Sequence, residues 1–105
     1  MNTYHVIVTD VAKADLKRYR DYILKKFNNP QAAKDLIHDF RDTRKQLEIV
    51  AGSLQSPASN ELIRRNLKRI NFLKHSYFLL FQIVDETVFI TNMFHFLEDY
   101  ENKLR

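Results

Sequence analysis

A chain of 105 residues, 45% hydrophobic and 12% aromatic, can bury one core but not two, and it is too apolar for intrinsic disorder. The absence of Cys excludes disulfides and thiolate zinc sites and fits a reducing compartment. No run approaches the roughly eighteen uninterrupted apolar residues of a membrane span, the start Met1-Asn2-Thr3 is too polar for a signal peptide, and the net charge of +4 is modest. The expectation is one domain over residues 1–105, cytoplasmic, with no membrane partner.

Tyr4-His5-Val6-Ile7-Val8 is a β-branched and aromatic run that reads as a strand, and Thr9-Asp10 after it offers a side-chain oxygen to cap a helix. From Val11 to Phe27 the apolar residues Ala12, Leu16, Tyr19, Ile23 and Phe27 recur at three- and four-residue steps, the pattern of an amphipathic helix. Tyr19, Tyr22 and Phe27 are expected at the core or its edge. Asn28-Asn29-Pro30 ends this helix and starts another, because Asn tolerates a left-handed C-cap, also serves as an N-cap, and Pro suits the first helical position. The second helix carries Ala33, Leu36, Ile37, Phe40, Leu47 and Val50 on one stripe, and so short a connection predicts a helical hairpin.

Residues 51–66 hold the only Gly, Gly52, and a Ser/Asn-rich stretch around Pro57, which predicts a loop with one helical turn at Glu61–Arg65. Three short apolar runs follow: Leu67–Phe72, Tyr77–Val84 and Val88–Phe94. The first alternates, with Ile70 and Phe72 opposed to Arg69 and Asn71. The second, Tyr77-Phe78-Leu79-Leu80-Phe81-Gln82-Ile83-Val84, is apolar on both faces, as expected of a strand covered on both sides. Asp85-Glu86 makes the second and third runs an antiparallel hairpin, and as an unfavoured turn pair it invites a bulge. The fold class is therefore α+β: a helical hairpin packed on an antiparallel sheet, order β-α-α-β-β-β, with a short C-terminal helix.

Charge is distributed unevenly. Residues 51–84 carry five basic residues against one acidic, whereas 85–105 carry two basic against five acidic. Arg64, Arg65, Lys68, Arg69 and Lys74 form a candidate target-binding patch that would steer phosphates or an acidic partner. A solvated basic edge that discourages strand pairing accounts for them equally well. At the chain end, Phe94-His95-Phe96-Leu97-Glu98-Asp99-Tyr100 sets an imidazole, two carboxylates and a phenol after apolar positions. Asp99 beside His95 could hold the ring in one tautomer, or His95 could be a structural residue at a strand end. Tyr100 could pack on the helical hairpin with its hydroxyl exposed, and Glu98 and Asp99 could open the last helix. His5, His38, His75 and His95 are too scattered for a metal-ligand spacing, and with one Gly no phosphate-cradling loop is available, so no metal or cofactor is expected.

The order of elements resembles the RelE/ParE superfamily of bacterial type II toxins, over essentially the whole chain. The segments that carry the likeness are His75-Ser76-Tyr77-Phe78-Leu79-Leu80-Phe81, Val88-Phe89-Ile90 and His95-Phe96-Leu97-Glu98-Asp99-Tyr100, which are most similar to the ParE-type ending. The resemblance implies a cytoplasmic, plasmid-stabilising toxin whose action arrests growth. In the ParE-like branch the implied target is DNA gyrase, and no catalytic set is required; Arg64, Arg65, Arg69 and the segment 98–105 are the candidate contacts.

In the RelE-like branch the implied activity is ribosome-dependent cleavage of mRNA, which needs a base, an acid and cationic donors around one phosphate. Arg69, His95 and Tyr100 would then be the catalytic candidates, with Lys68 and His75 as further members. That branch commonly has an Arg where this chain has Phe78, and basic residues where it has Leu97, Glu98 and Asp99. Both branches imply a cognate antitoxin. In ParE-like pairs it resembles a ribbon-helix-helix protein of the ParD type that itself contacts operator DNA, and its amphipathic, often acidic segment would dock where the helices meet the sheet. The two non-toxin alternatives are weak nucleic-acid binding and a relative that has lost toxicity.

Overall fold

The computed structural model describes residues 3–55 and 57–104; Arg105, the end of the C-terminal contact segment, lies outside them, as do Met1, Asn2 and Ser56. The first strand, β1 (His5–Val8), stops at Thr9. The Thr9 hydroxyl accepts from the Ala12 N–H at 3.3 Å and donates to the Ile90 carbonyl at 2.8 Å. One side chain thus caps α1 (Asp10–Phe27) and ties its start to the strand beside β1, where Ile90 lies opposite Val8. Asn28 ends α1 with a φ of 47°, and Asn29 caps α2 (Pro30–Val50) by accepting from the Ala32 N–H at 3.1 Å. The hairpin forms as its sequence predicts.

Packing departs from the predicted stripes at two places. Ala12, Leu16, Tyr19 and Ile23 of α1 reach the core, but Tyr22 and Phe27 do not: they are 53% and 62% exposed and stack edge-on at the hairpin tip. The core gives out at Ile23, so the last turn of α1 has only α2 beside it. Conversely, the buried stripe of α2 includes two polar residues, Asp39 and Thr43, interleaved with Leu36, Phe40 and Leu47. Thr43 is satisfied by donating to the Asp39 carbonyl at 2.8 Å.

Three strands of the sheet, β2 (Lys68–Asn71), β3 (Tyr77–Val84) and β4 (Thr87–His95), are antiparallel neighbours, and the full order is β1-β4-β3-β2. The sheet is mixed, because β1 lies parallel to β4 with Val6 opposite Val88. A parallel neighbour requires a long crossover, and the helical hairpin with the rest of the sheet supplies it. Between β2 and its predecessor, a 3-10 turn (Ala51–Ser53) and the single-turn α3 (Asn60–Arg64) form the loop region. The Tyr4 hydroxyl lies over Gly52, where an added Cβ would make the Tyr4 side chain turn aside.

β3 is covered on both faces. Leu79 and Phe81 point to the helical hairpin with Val6, Leu36, Leu47, Val88 and Met93; Phe78 and Leu80 point the other way. The second face is closed by Leu62 of α3, Leu67, Phe94, Leu104 and the ring of Tyr100, which opens the one-turn α4 (Tyr100–Lys103). The expected bulge exists but is not at Asp85-Glu86, where Asp85 simply adopts a φ of 56°. It falls in mid-hairpin: Leu80 faces Asn92 and Phe81 faces Ile90, leaving Thr91 unpaired. The extra residue moves the core-facing positions of β4 from Val88 and Ile90 to Met93, and the buried carboxylate of Asp15 accepts the Met93 N–H at 2.9 Å.

Asp39 performs a similar service for the β2–β3 turn. Its carboxylate accepts from the backbone N–H groups of Leu73, Lys74 and His75 at 3.2, 3.0 and 2.9 Å and meets His75 Nδ1 at 2.7 Å. Burial pulls the Asp39 pKa upward, but the His75 side chain and the two N–H donors of Lys74 and His75 outweigh it and hold the acid below the ordinary carboxylate range.

Two outcomes follow from this packing. Phe81→Ala removes the largest fully buried side chain of the main core and should cost about 3–5 kcal/mol in urea unfolding. Asp39→Asn should cost about 2 kcal/mol near neutral pH. Because the native state favours ionised Asp39, its contribution is full above the unfolded carboxyl pKa of about 3.9 and is lost as pH falls through the lower folded value. The acid limb of the stability–pH curve should therefore be shallower in Asp39→Asn than in the wild type.

Candidate functional site

The basic residues picked out by the sequence are less free than their number suggests. Glu61, the one acid of residues 51–84, reaches both Arg64 and Arg65, the latter at 2.7 Å from its Nε. Those guanidiniums, Arg65 first, hold the Glu61 carboxyl below its usual range. Lys68 donates its ammonium to the Leu54 carbonyl at 3.0 Å. Arg69 donates through Nε to Asn71 at 2.9 Å while its guanidinium lies 3.7 Å from the Phe78 ring centroid and 5.2 Å from that of Phe96. Lys74 sits apart from the others, its backbone N–H fastened by Asp39 in the β2–β3 turn.

The residues considered for catalysis divide between the two faces of the sheet. Arg69 and Tyr100 line one groove, with Leu62 and Ile70. Tyr100 packs on Phe78 and Phe94, with ring centroids 5.3 and 6.1 Å away, and so lies opposite the helical hairpin rather than on it. The reason is the α4 turn, which folds back over the second cluster. His95 follows Phe94 in an extended strand and therefore points to the other face. Its ring meets Tyr77 edge-on at 4.9 Å. Asp99 does not orient it: His95 Nδ1 accepts from the Leu97 N–H at 3.1 Å, which places the ring proton on Nε2. The carboxylate that does reach this turn is Glu98, and it is not spent on opening a helix.

Glu98 is a junction. It accepts from the Tyr19 hydroxyl, from the His95 N–H at 2.9 Å and from the Lys103 ammonium at 2.6 Å. Burial pushes its pKa up, but Lys103, Tyr19 and the His95 N–H together hold it below the ordinary glutamate range. Desolvation and then the Glu98 charge push the Tyr19 phenol well above its usual value, and Tyr77 is raised for the same reasons. Both tyrosines are neutral hydrogen-bonding groups at any physiological pH.

Around this junction lies a cleft of about 410 Å³, lined by Arg18, Tyr19, Tyr22, Tyr77, His95, Leu97 and Glu98. Tyr19 and Tyr77 form its walls edge to face at 5.0 Å, and Leu97, 89% exposed, stands on its rim with Tyr22. Tyr19 and Tyr22, expected at the core or its edge, both line this cleft, Tyr19 while also packing against the core; Arg18, Tyr77 and Leu97 stand outside the candidate sites named from the sequence. The available signal was local: Arg18 and Tyr22 are four residues apart and share a helix face. Bringing Tyr77 and His95 beside them requires the strand pairing.

Comparison with known proteins is consistent along the chain. Residues 6–100 match the family model described as the ParE toxin of the type II toxin-antitoxin system, parDE. The chromosomal ParDE system of P. aeruginosa superposes with a TM-score of 0.74 at 17% identity, covering 89% of this chain and 96% of that one. The toxin-antitoxin complex RelBE2 of Mycobacterium tuberculosis gives a TM-score of 0.57 at 21% identity, covering 89% and 98%. No curated protein matches the sequence. At these identities the structural likenesses speak to the fold, whereas the sequence match spans nearly the whole of the described sheet and helices: the chain belongs to the ParE toxin family of type II toxin-antitoxin systems.

Proposed function

We propose that this toxin arrests growth as a binding poison of DNA gyrase, without catalysis of its own, and that a cognate antitoxin of the ribbon-helix-helix, ParD-like type neutralises it and carries the contact to operator DNA. The observation that supports a binding reading is the separation of His95 from Arg69 and Tyr100 by the thickness of the sheet. Cleavage of an RNA phosphodiester by the neighbouring ribose hydroxyl needs a base, an acid and cationic donors around one phosphate, each within about 3 Å of its atom. Here the Arg69 guanidinium lies over Phe78, whose ring belongs to an apolar cluster with Leu62, Leu80 and Phe94. A phosphorane has no collected set of donors at that place. The family match to ParE toxins points the same way.

A second reading, ribosome-dependent mRNA cleavage, draws on the groove that Arg69 and Tyr100 share and on the likeness of fold to a RelBE complex. The two readings separate cleanly in the tube. Purified toxin added to gyrase and relaxed plasmid should inhibit supercoiling or trap cleaved DNA, and His95→Ala should change this by no more than its effect on folding. Codon-positioned messenger cuts in a translation extract, abolished by Arg69→Ala or His95→Ala and accompanied by no effect on gyrase, would reverse the assignment.

A further inference from the structure

The two edges of the sheet are not alike. β2 closes one of them with Lys68 and Arg69, whose charges discourage a further strand. The other edge is β1, His5-Val6-Ile7-Val8, which carries no Lys, Arg, Asp, Glu or Pro and no bulge. Among the described residues no strand lies beyond it. His5 and Thr9 donate their N–H groups inward, to the Glu86 and Ile90 carbonyls at 2.9 and 3.1 Å. Backbone groups alternate in direction along a strand, so the N–H and carbonyl groups of Val6 and Val8 point outward to the open edge. The edge is closed only at Tyr4, whose N–H goes to the Glu48 carbonyl at 2.7 Å.

The face beside this edge is also short of cover. Val6 and Val8 lie against the helical hairpin, and His5 and Ile7 point to the opposite face. There Ile7, 38% exposed, stands directly across the ladder from half-buried Phe89. The second apolar cluster, built on Phe78 and Leu80, includes neither of them. Outward-pointing backbone donors and acceptors and an uncovered apolar row therefore coincide at one place.

The strand is its own complement. Val6-Ile7-Val8 reads the same in both directions, and a strand without charge meets its copy with no like-charge repulsion. We propose that this edge pairs with the same edge of a second copy of the chain, antiparallel about a twofold axis through Ile7. Val6 then exchanges both of its backbone hydrogen bonds with Val8 of the second copy, and Val8 does the same with Val6. Ile7 meets Ile7 as a non-hydrogen-bonded pair with Cα atoms about 4.5 Å apart, the closer of the two antiparallel spacings. Phe89 flanks this pair on each side, so an apolar row Phe89-Ile7-Ile7-Phe89 crosses the junction. Two four-stranded sheets become one continuous sheet, and the interface is isologous, closing at two copies. The contact is only four residues of strand per copy, so the dimer is weak and forms as concentration rises.

The chain has no Cys, so a single introduced thiol reports this contact cleanly. The whole chain is compared as wild type, Ile7→Lys, Ile7→Cys and Leu73→Cys, the last an exposed position in the β2–β3 turn, away from the edge. Unchanged thermal midpoints establish that each variant is folded. In sedimentation equilibrium the wild type should pass from monomer to dimer as concentration rises. Ile7→Lys should stay monomeric throughout, because two ammonium groups then face each other across the axis. Under mild oxidation Ile7→Cys should cross-link into a dimer about tenfold faster than Leu73→Cys or more, since Cα atoms at this separation suit a disulfide. Amide exchange at Val6 and Val8 should slow with increasing concentration of the wild type. A wild type that stays monomeric, equal cross-linking rates, or a dimer that survives Ile7→Lys overturns the proposal. So does protection of Val6 and Val8 that appears only when the antitoxin encoded beside it is added, which gives the edge to that partner instead.

Discussion

A strand buried on both faces dictates the rest of this molecule. Phe78, Leu79, Leu80 and Phe81 are consecutive and fully enclosed, so each alternate pair demands its own cover. At about 1.5–3 kcal/mol for each large apolar side chain removed from water, neither face can be left open. The helical hairpin covers Leu79 and Phe81. The cover over Phe78 and Leu80 is pieced together from α3, Leu67 and α4, elements of four or five residues that have no stability as isolated helices. They hold their shape because the apolar face beneath them needs them, and Arg69 is drawn onto the Phe78 ring by the same surface.

Helices and sheet are registered by buried or half-buried polar side chains that bond to backbone. Thr9 takes the Ile90 carbonyl, Asp15 the Met93 N–H, and Asp39 three successive N–H groups of the β2–β3 turn. The N–H groups that Asp15 and Asp39 satisfy lie next to the bulge and in the turn, while the Ile90 carbonyl accepts both the hydroxyl and, at 3.1 Å, the N–H of Thr9. Among the described residues no buried side-chain nitrogen or oxygen lacks a partner. Apolar contacts alone would tolerate sliding of α1 along the sheet; a carboxylate fixed on one particular N–H does not.

The same distinction separates what can be read in the sequence from what cannot. The two helices, their Thr9 and Asn29 caps, the left-handed Asn28 and the doubly covered β3 all follow from periodicity and local backbone chemistry. Asp15 and Asp39 look like surface charges on amphipathic helices, and only the position of the β4 bulge and the β2–β3 turn makes them interior. The bulge itself depends on matching Val88 and Ile90 on one side of Thr91 with Met93 on the other, a choice made by the packing against α1. The basic patch is visible as composition, but the pairing of Arg64 and Arg65 with Glu61 and the stacking of Arg69 on the Phe78 ring depend on α3 and β2 being folded. His95 and Tyr100 are close in sequence and on opposite faces in space, because strand alternation and the α4 turn intervene.

Glu98 shows how closely the two faces are nonetheless tied. One of its oxygens holds Tyr19 of α1 and the His95 N–H at the end of β4; the other holds Lys103 of α4, the turn that carries Tyr100 and leads to Leu104 on the opposite face. A neutral Glu98 could not accept all three with comparable strength, and its lowered pKa keeps it charged down to acidic conditions. The wall of the tyrosine cleft and the lid of the second apolar cluster therefore meet at a single ionised carboxylate, beside the Met93 carbonyl that also takes the Tyr19 hydroxyl and the apolar contacts that seat Tyr100 and Leu104. Their geometries cannot be varied independently: shifting α4 moves the Lys103 ammonium away from Glu98, weakens the hold on the Tyr19 hydroxyl, and alters the aromatic wall on the far side of the sheet.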